Sequence, residues 1–207
     1  MPLTKIADPA RLGPDRWRLP NPGGGVMSAG RLTAAFRART GSADLDLVDT
    51  VLAVSQIPYG RPPELSPGGV LAAWRGTCST KHLLLAGLVE EAWPEVRLGL
   101  WHRVYTVSPE WASTRWGPEV AAAIPPAGLA DVHTFARADL GSGPMVIDVT
   151  FPVEDWDGRS DMMLACGPGV DHSGGPYPLE SKAALVAKRC DPESRESFIA
   201  ALAHWAG

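Results

Sequence analysis

The sequence predicts an α+β protein in which helices precede and follow a run of antiparallel strands. Two observations carry this. Apolar residues recur at helical spacing up to Trp93 and again after Pro178, whereas Val96–Val107 alternates and is rich in β-forming residues. The strand-like runs also follow one another without intervening helices, unlike a βαβ pattern. The chain has 207 residues, 45% apolar and 20% charged, enough to bury the core of one ordinary domain. Its 22 glycines and 20 prolines indicate many turns but stop short of a low-complexity chain.

Residues 1–25 are rich in Pro, Arg and Gly and end in Asn21-Pro22-Gly23-Gly24-Gly25, which reads as an irregular N-terminal arm. Residues 26–207 then form a single domain. Ser28–Arg39 allows a short helix. Ser42 is placed to cap a second, Asp44–Gln56, with Asp44 and Asp46 in its first turn and Leu45, Val48 and Leu52 on one face. Ile57-Pro58-Tyr59-Gly60-Arg61-Pro62-Pro63 stops it. Ser66-Pro67-Gly68-Gly69 marks another break before Val70–Trp74.

Gly76-Thr77-Cys78-Ser79 opens the most apolar segment, Leu83–Val89, which Pro94 closes; this is the buried central helix, with Thr77 or Ser79 as its cap. After the Val96–Val107 strand, residues 108–130 read as a long excursion. Val132–Ala138 and Pro144–Phe151 are two further strands, joined by a turn at Gly141-Ser142-Gly143. Gly167–Pro178 is another turn-rich stretch. Leu179–Cys190 and Pro192–Trp205 are closing helices, the second with Asp191 as cap and Pro192 at its first position.

Composition excludes several functions. A net charge of −4, with no Lys/Arg cluster, argues against nucleic acid as a partner. No apolar run is long enough to cross a bilayer, which argues against a membrane role. The first residues lack the apolar core of a secretion signal, and three cysteines, an odd number, do not make a disulfide framework. These features point to the cytoplasm, with thiols reduced. No GxxxxGK[ST], Gly-x-Ser-x-Gly or GxGxxG occurs, so an ATP-dependent ligase, a serine hydrolase and a nucleotide oxidoreductase are disfavoured. No cofactor is called for.

Cys78 is the sharpest chemical signal. At the start of a helix its thiolate is favoured over the thiol, and Lys81 and His82 on the next turn add positive potential. A small cysteine that only packs is the alternative. A nucleophile needs a base and the base an orienting group. His133 on one strand and Asp148 on the next can stand side by side. Asp148 interrupts the apolar run Met145-Val146-Ile147, where an unpaired carboxylate is costly.

Gly76-Thr77-Cys78-Ser79-Thr80-Lys81-His82, Ala130-Asp131-Val132-His133 and Val146-Ile147-Asp148-Val149-Thr150 resemble the three motif blocks of the transglutaminase-like superfamily, relatives of papain-type cysteine enzymes. The likeness spans roughly residues 45–151. It departs from the usual pattern in carrying Thr134, and only then Phe135, after the histidine. The resemblance implies a papain/transglutaminase-like core, with a central helix carrying Cys packed on an antiparallel sheet carrying His and Asp, to which the residues after Pro178 add extra C-terminal helices. It also implies a Cys78–His133–Asp148 triad and chemistry through a thioester.

In that scheme Cys78 attacks an acyl carbonyl, His133 protonates the leaving group and Asp148 orients the imidazole. The Cys78 amide N–H would donate to the oxyanion, with Gln56 or Trp74 as the second donor. Trp111 and Trp116 would wall an acyl groove or form a lid. His82 is a rival base. A zinc site from Cys78 and His82 with Cys166, His172 and Cys190 is a weaker alternative. Three functions remain open. They are a cysteine hydrolase, an acyltransferase moving an acyl group from a carrier thioester to an amine or hydroxyl, and an inactive binding module of the same fold. The expected partner is a small-molecule, peptide or carrier-bound acyl substrate.

Overall fold

Residues 30–206 are described in a computed structural model, except 43, 141 and 142. The expected N-terminal arm, the first residues of the Ser28–Arg39 helix and the Gly141-Ser142 turn lie outside the described residues. The architecture is α+β. Eight helices and four strands run in the order α1 (Arg31–Thr40), α2 (Leu47–Ser55), α3 (Pro67–Ala73), α4 (Cys78–Ala92), β1 (Arg97–Val107), α5 (Pro109–Trp116), α6 (Pro118–Ala122), β2 (Leu129–Asp139), β3 (Pro144–Ile147), β4 (Gly169–Ser173), α7 (Pro178–Arg189) and α8 (Pro192–Trp205) among the described residues. The strands form one antiparallel sheet ordered β3-β2-β1-β4.

Each face of the sheet has its own core, because strand side chains alternate. Leu100, Ala136, Ala138, Met145 and Ile147 point to one face, where Leu84, Leu85, Leu88 and Val89 of α4 cover them together with residues of α1, α2 and α3. Tyr105, Val107 and Leu129 point to the other, against Ala112 and Trp116 of α5 and Phe198 and Leu202 of α8. The central helix is therefore central to one of two cores.

Several boundaries differ from the sequence expectation. Asp46, not Ser42, caps α2: its carboxylate accepts the Asp49 N–H at 2.8 Å. Ser66-Pro67 begins a helix rather than merely breaking the chain, since the Ser66 hydroxyl accepts from Gly69 and proline is suited to the first helical position. The excursion after β1 is likewise two helices, α5 starting with a Ser108 cap and Pro109.

The third expected strand, Pro144–Phe151, stops at Ile147. Beyond it the backbone turns to side chains instead of a neighbouring strand. The Val149 N–H donates to His82, the Thr150 N–H to Asp148, and the Val153 N–H to Ser55. Strand β4 inside the Gly167–Pro178 stretch was not expected. It pairs with β1 from Trp101 to Tyr105 and is fastened by Asp171, whose carboxylate takes the Arg103 guanidinium at 2.6 and 2.9 Å and Arg137 at 2.8 Å.

Candidate active site

The site begins with the cap of α4. The Thr77 side chain accepts from the Thr80 backbone, and the Thr80 hydroxyl accepts the Thr77 N–H at 2.9 Å, a capping box that starts the helix at Cys78. Gly76 is required just before it, since a Cβ there would lie 2.6 Å from Cγ of Lys81. Gly76 also bonds Pro58 and Gly60 through its backbone, which brings the Tyr59 loop beside Cys78. The Cys78 N–H, in the first turn, has no partner among the described residues and adds its dipole at the helix start.

His133 lies on β2, opposite Arg103. Asp148 is the first residue after β3, not within it. Continuing the Ile147–Ala136 pairing by one residue puts Asp148 on the face that carries His133. The His133 Nε2 meets Asp148 Oδ2 at 2.7 Å, and the imidazole stands beside the Cys78 thiol, near enough for each to shift the other's protonation. With Nε2 committed, Nδ1 is the ring nitrogen left to face sulfur. The carboxylate is held rigidly: Oδ2 also accepts from Ala165 N–H at 2.8 Å and Oδ1 from Thr150 N–H at 3.0 Å.

All three groups are buried, and their protonation follows from the competition between burial and partners. Burial pushes the Cys78 thiol up, but the Lys182 ammonium and the His133 imidazole outweigh it and hold the thiol well below its free value. Burial pulls His133 down, and Asp148 with the Cys78 bond raises it well above an ordinary histidine. Burial raises Asp148, and His133, His82 and the Ala165 N–H hold it below the usual carboxylate range. These directions favour a thiolate, an imidazolium and a carboxylate over their neutral forms.

Sequence reasoning missed Lys182 on α7. It is buried, and its Nζ donates to Cys78 Sγ at 3.1 Å and to Ser79 Oγ at 2.8 Å. The clue was present: Lys182 sits on the apolar stripe of α7 with Leu179, Ala183 and Val186, where a lysine is costly unless paired. It also balances charge, because thiolate, imidazolium and carboxylate together leave one negative charge buried.

Other expected site residues lie elsewhere. Gln56 ends α2 and donates to the Val153 carbonyl at 2.9 Å, spent on holding the loop after Asp148. Trp74 caps α3 in left-handed backbone (φ 47°), its ring packed 6.3 Å from Phe36 and 5.3 Å below the Arg39 guanidinium. Trp111 and Trp116 form no acyl groove; they pack edge to face at 4.8 Å, Trp111 also against Tyr105 and Trp116 against Phe198, joining α5 to β1 and α8.

His82 and Lys81 do not face the thiol. His82 is fully buried, its Nδ1–H donating to the Cys78 carbonyl at 2.6 Å and its Nε2 accepting the Val149 N–H at 3.1 Å. Burial lowers its pKa, so it is a neutral clip between α4 and the chain beyond β3, not a base for Cys78. Lys81 Nζ donates to the carbonyls of Ser55, Ile57 and Thr150 at 2.8, 2.7 and 3.0 Å. Burial pulls it down to about 7. No group of three or more His, Cys, Asp or Glu side chains among the described residues is arranged to hold a metal ion.

Cys78 opens on a cavity of about 260 Å³ whose walls include Tyr59, Leu65, Leu179, Lys182, Val186 and Ile199. A larger cavity, about 650 Å³, reaches Asp148 from the other side through the loop of residues 151–165, without Cys78 or His133 in its lining. No helix among the described residues is long and apolar enough to cross a membrane. No protein-family model, curated protein or solved structure matches the chain.

Proposed function

We propose that this chain is a cysteine-dependent acyl-transfer enzyme of papain/transglutaminase-like type, working through a thioester on Cys78. The observation that carries the proposal is the 2.7 Å bond between His133 and Asp148, with the imidazole beside a thiol at the start of a helix. A merely structural cysteine has no use for a buried, carboxylate-oriented histidine. The arrangement of a helix-borne Cys, a strand-borne His and an Asp just beyond the next strand supports the family reading.

The chemistry follows from these positions. The Cys78 thiolate attacks an acyl carbonyl, forming the S–C bond while the carbonyl electron pair moves to oxygen. Collapse of this intermediate expels the leaving group, which takes the His133 proton, and leaves a thioester. Neutral His133 then removes a proton from water or from an amine or hydroxyl acceptor, whose attack releases the acyl group and restores the thiolate. The apolar side chains Leu65, Leu179, Val186 and Ile199 in the cavity wall suit an apolar acyl chain, which favours transfer to an acceptor as the second reading.

Alkylation by iodoacetamide at about pH 6, followed by intact mass, tests the reading. Wild type should take up one fast adduct, absent in Cys78→Ala and slowed about tenfold or more in His133→Ala, while folded His82→Ala keeps it. Slow labelling spread over Cys78, Cys166 and Cys190 would count against an activated thiol.

A further inference from the structure

We propose that Lys182 is a catalytic residue of this site, its ammonium being the second donor to the oxyanion formed when Cys78 attacks a carbonyl. The inference rests on the acyl-transfer reading above. It fills the place for which Gln56 and Trp74 were expected and which neither occupies.

Lys182 is held in place by a hydrogen-bond chain whose direction can be worked out from its far end. The Pro178 carbonyl can only accept, so His102 Nε2 donates to it, at 2.9 Å. His102 is neutral, lowered to about 4 first by burial and then by Lys182, so its Nδ1 accepts from the Thr134 hydroxyl at 3.1 Å. Thr134 Oγ1 is then free to accept from Ser79 Oγ at 3.2 Å, and Ser79 Oγ accepts from Lys182 at 2.8 Å. Pro178 and Lys182 are one turn apart on α7, so the chain closes on the helix that carries the lysine. Every member is buried. The ammonium is therefore set against Sγ before substrate arrives, the condition under which a donor stabilises a transition state without reorganising.

Two of its three N–H groups go to Sγ and Ser79, the third has no partner among the described residues, and the side chain lines the Cys78 cavity. When the S–C bond forms, negative charge leaves sulfur for the carbonyl oxygen two bonds away. An ammonium 3.1 Å from sulfur follows that charge by a small rotation, while the proton for the leaving group comes from His133. The free Cys78 N–H supplies the other donor. Arg61 and Arg195 also line the cavity, but they are tied to Glu196 and Asp131 at 2.8 and 2.7 Å.

Alkylation and acylation separate this role from simple thiolate stabilisation, since displacement on iodoacetamide develops no oxyanion and attack on an ester does. Both rates are measured for wild type and Lys182→Met, with iodoacetamide and p-nitrophenyl acetate, each protein at the pH plateau where its Cys78 is fully ionised. Acylation should fall about 100-fold in the variant, and alkylation should change less than about threefold. Lys182→Leu, which likewise carries no donor, should behave the same way and serves if Lys182→Met does not fold. Equal losses in both reactions, or no loss of acylation, would overturn the role of Lys182 alone. Wild type that is neither rapidly alkylated nor acylated would overturn the underlying reading and this one with it.

Discussion

Lys81→Met should destabilise the protein by about 3 kcal/mol, read from urea unfolding, although the new side chain is close in length and apolar. Three carbonyl oxygens, of Ser55, Ile57 and Thr150, converge on the one ammonium. None can turn to water, since Lys81 is fully buried at the meeting point of α2, α4 and the chain after Asp148. Each orphaned acceptor costs on the order of 1 kcal/mol or more, partly offset because the variant no longer buries a charge. Against a typical stability of about 5–15 kcal/mol this is a large loss. A change below about 0.5 kcal/mol would mean that the three carbonyls find other partners.

Asp148→Asn should slow acylation of Cys78 by roughly a thousandfold or more while leaving the protein folded at neutral pH. The carboxylate receives His133 and Ala165 on one oxygen and Thr150 on the other, all as donors. An amide has a single acceptor oxygen, so its NH₂ must face either Thr150 or the His133–Ala165 pair, and it cannot stabilise the imidazolium. The substitution also alters acid stability, with a sign set by linkage. Asp148 is held below the ordinary carboxylate range, so in the native protein it contributes stability above about pH 4, lost as the pH falls through its folded value. Wild type should therefore weaken on acidification over a window in which Asp148→Asn does not. Parallel acid unfolding of the two proteins would show that the carboxylate is not stabilised by its partners.

The parts of the fold that were legible in the sequence are those fixed by local chemistry. Thr77 before an apolar run marked the start of α4, Asp191-Pro192 the start of α8, and alternation marked β1. Helices with few residues and little periodicity, α3 and α5, were hidden: Ser66-Pro67 read as a break and residues 108–130 as an excursion, although Ser66-Pro67 and Ser108-Pro109 serve as cap and first turn. The premature end of β3 was not legible, because the groups that stop it, His82 and Ser55, lie far away in sequence.

The candidate site divides in the same way. Cys78, His133 and Asp148 could be chosen by residue type and order, and the structure brings them together. The partners chosen by sequence proximity, Lys81 and His82, turn to backbone carbonyls and amides, since neighbours on a helix share a face only with what packs there. Lys182 lies 104 positions from Cys78 and reaches it only through the docking of α7 on the sheet.

The most direct measurement of the central claim is a titration of thiolate absorbance in the ultraviolet, taken as wild type minus Cys78→Ser, between about pH 4 and about pH 9. Burial pushes Cys166 up to about 11 and also raises Cys190, so neither confuses the signal. The site described above predicts that the Cys78 thiolate forms with a midpoint well below the ordinary thiol value. A signal that instead rises with a midpoint near the ordinary thiol value of about 8.5 would contradict the thiolate–imidazolium pair, and with it the acyl chemistry assigned to Cys78.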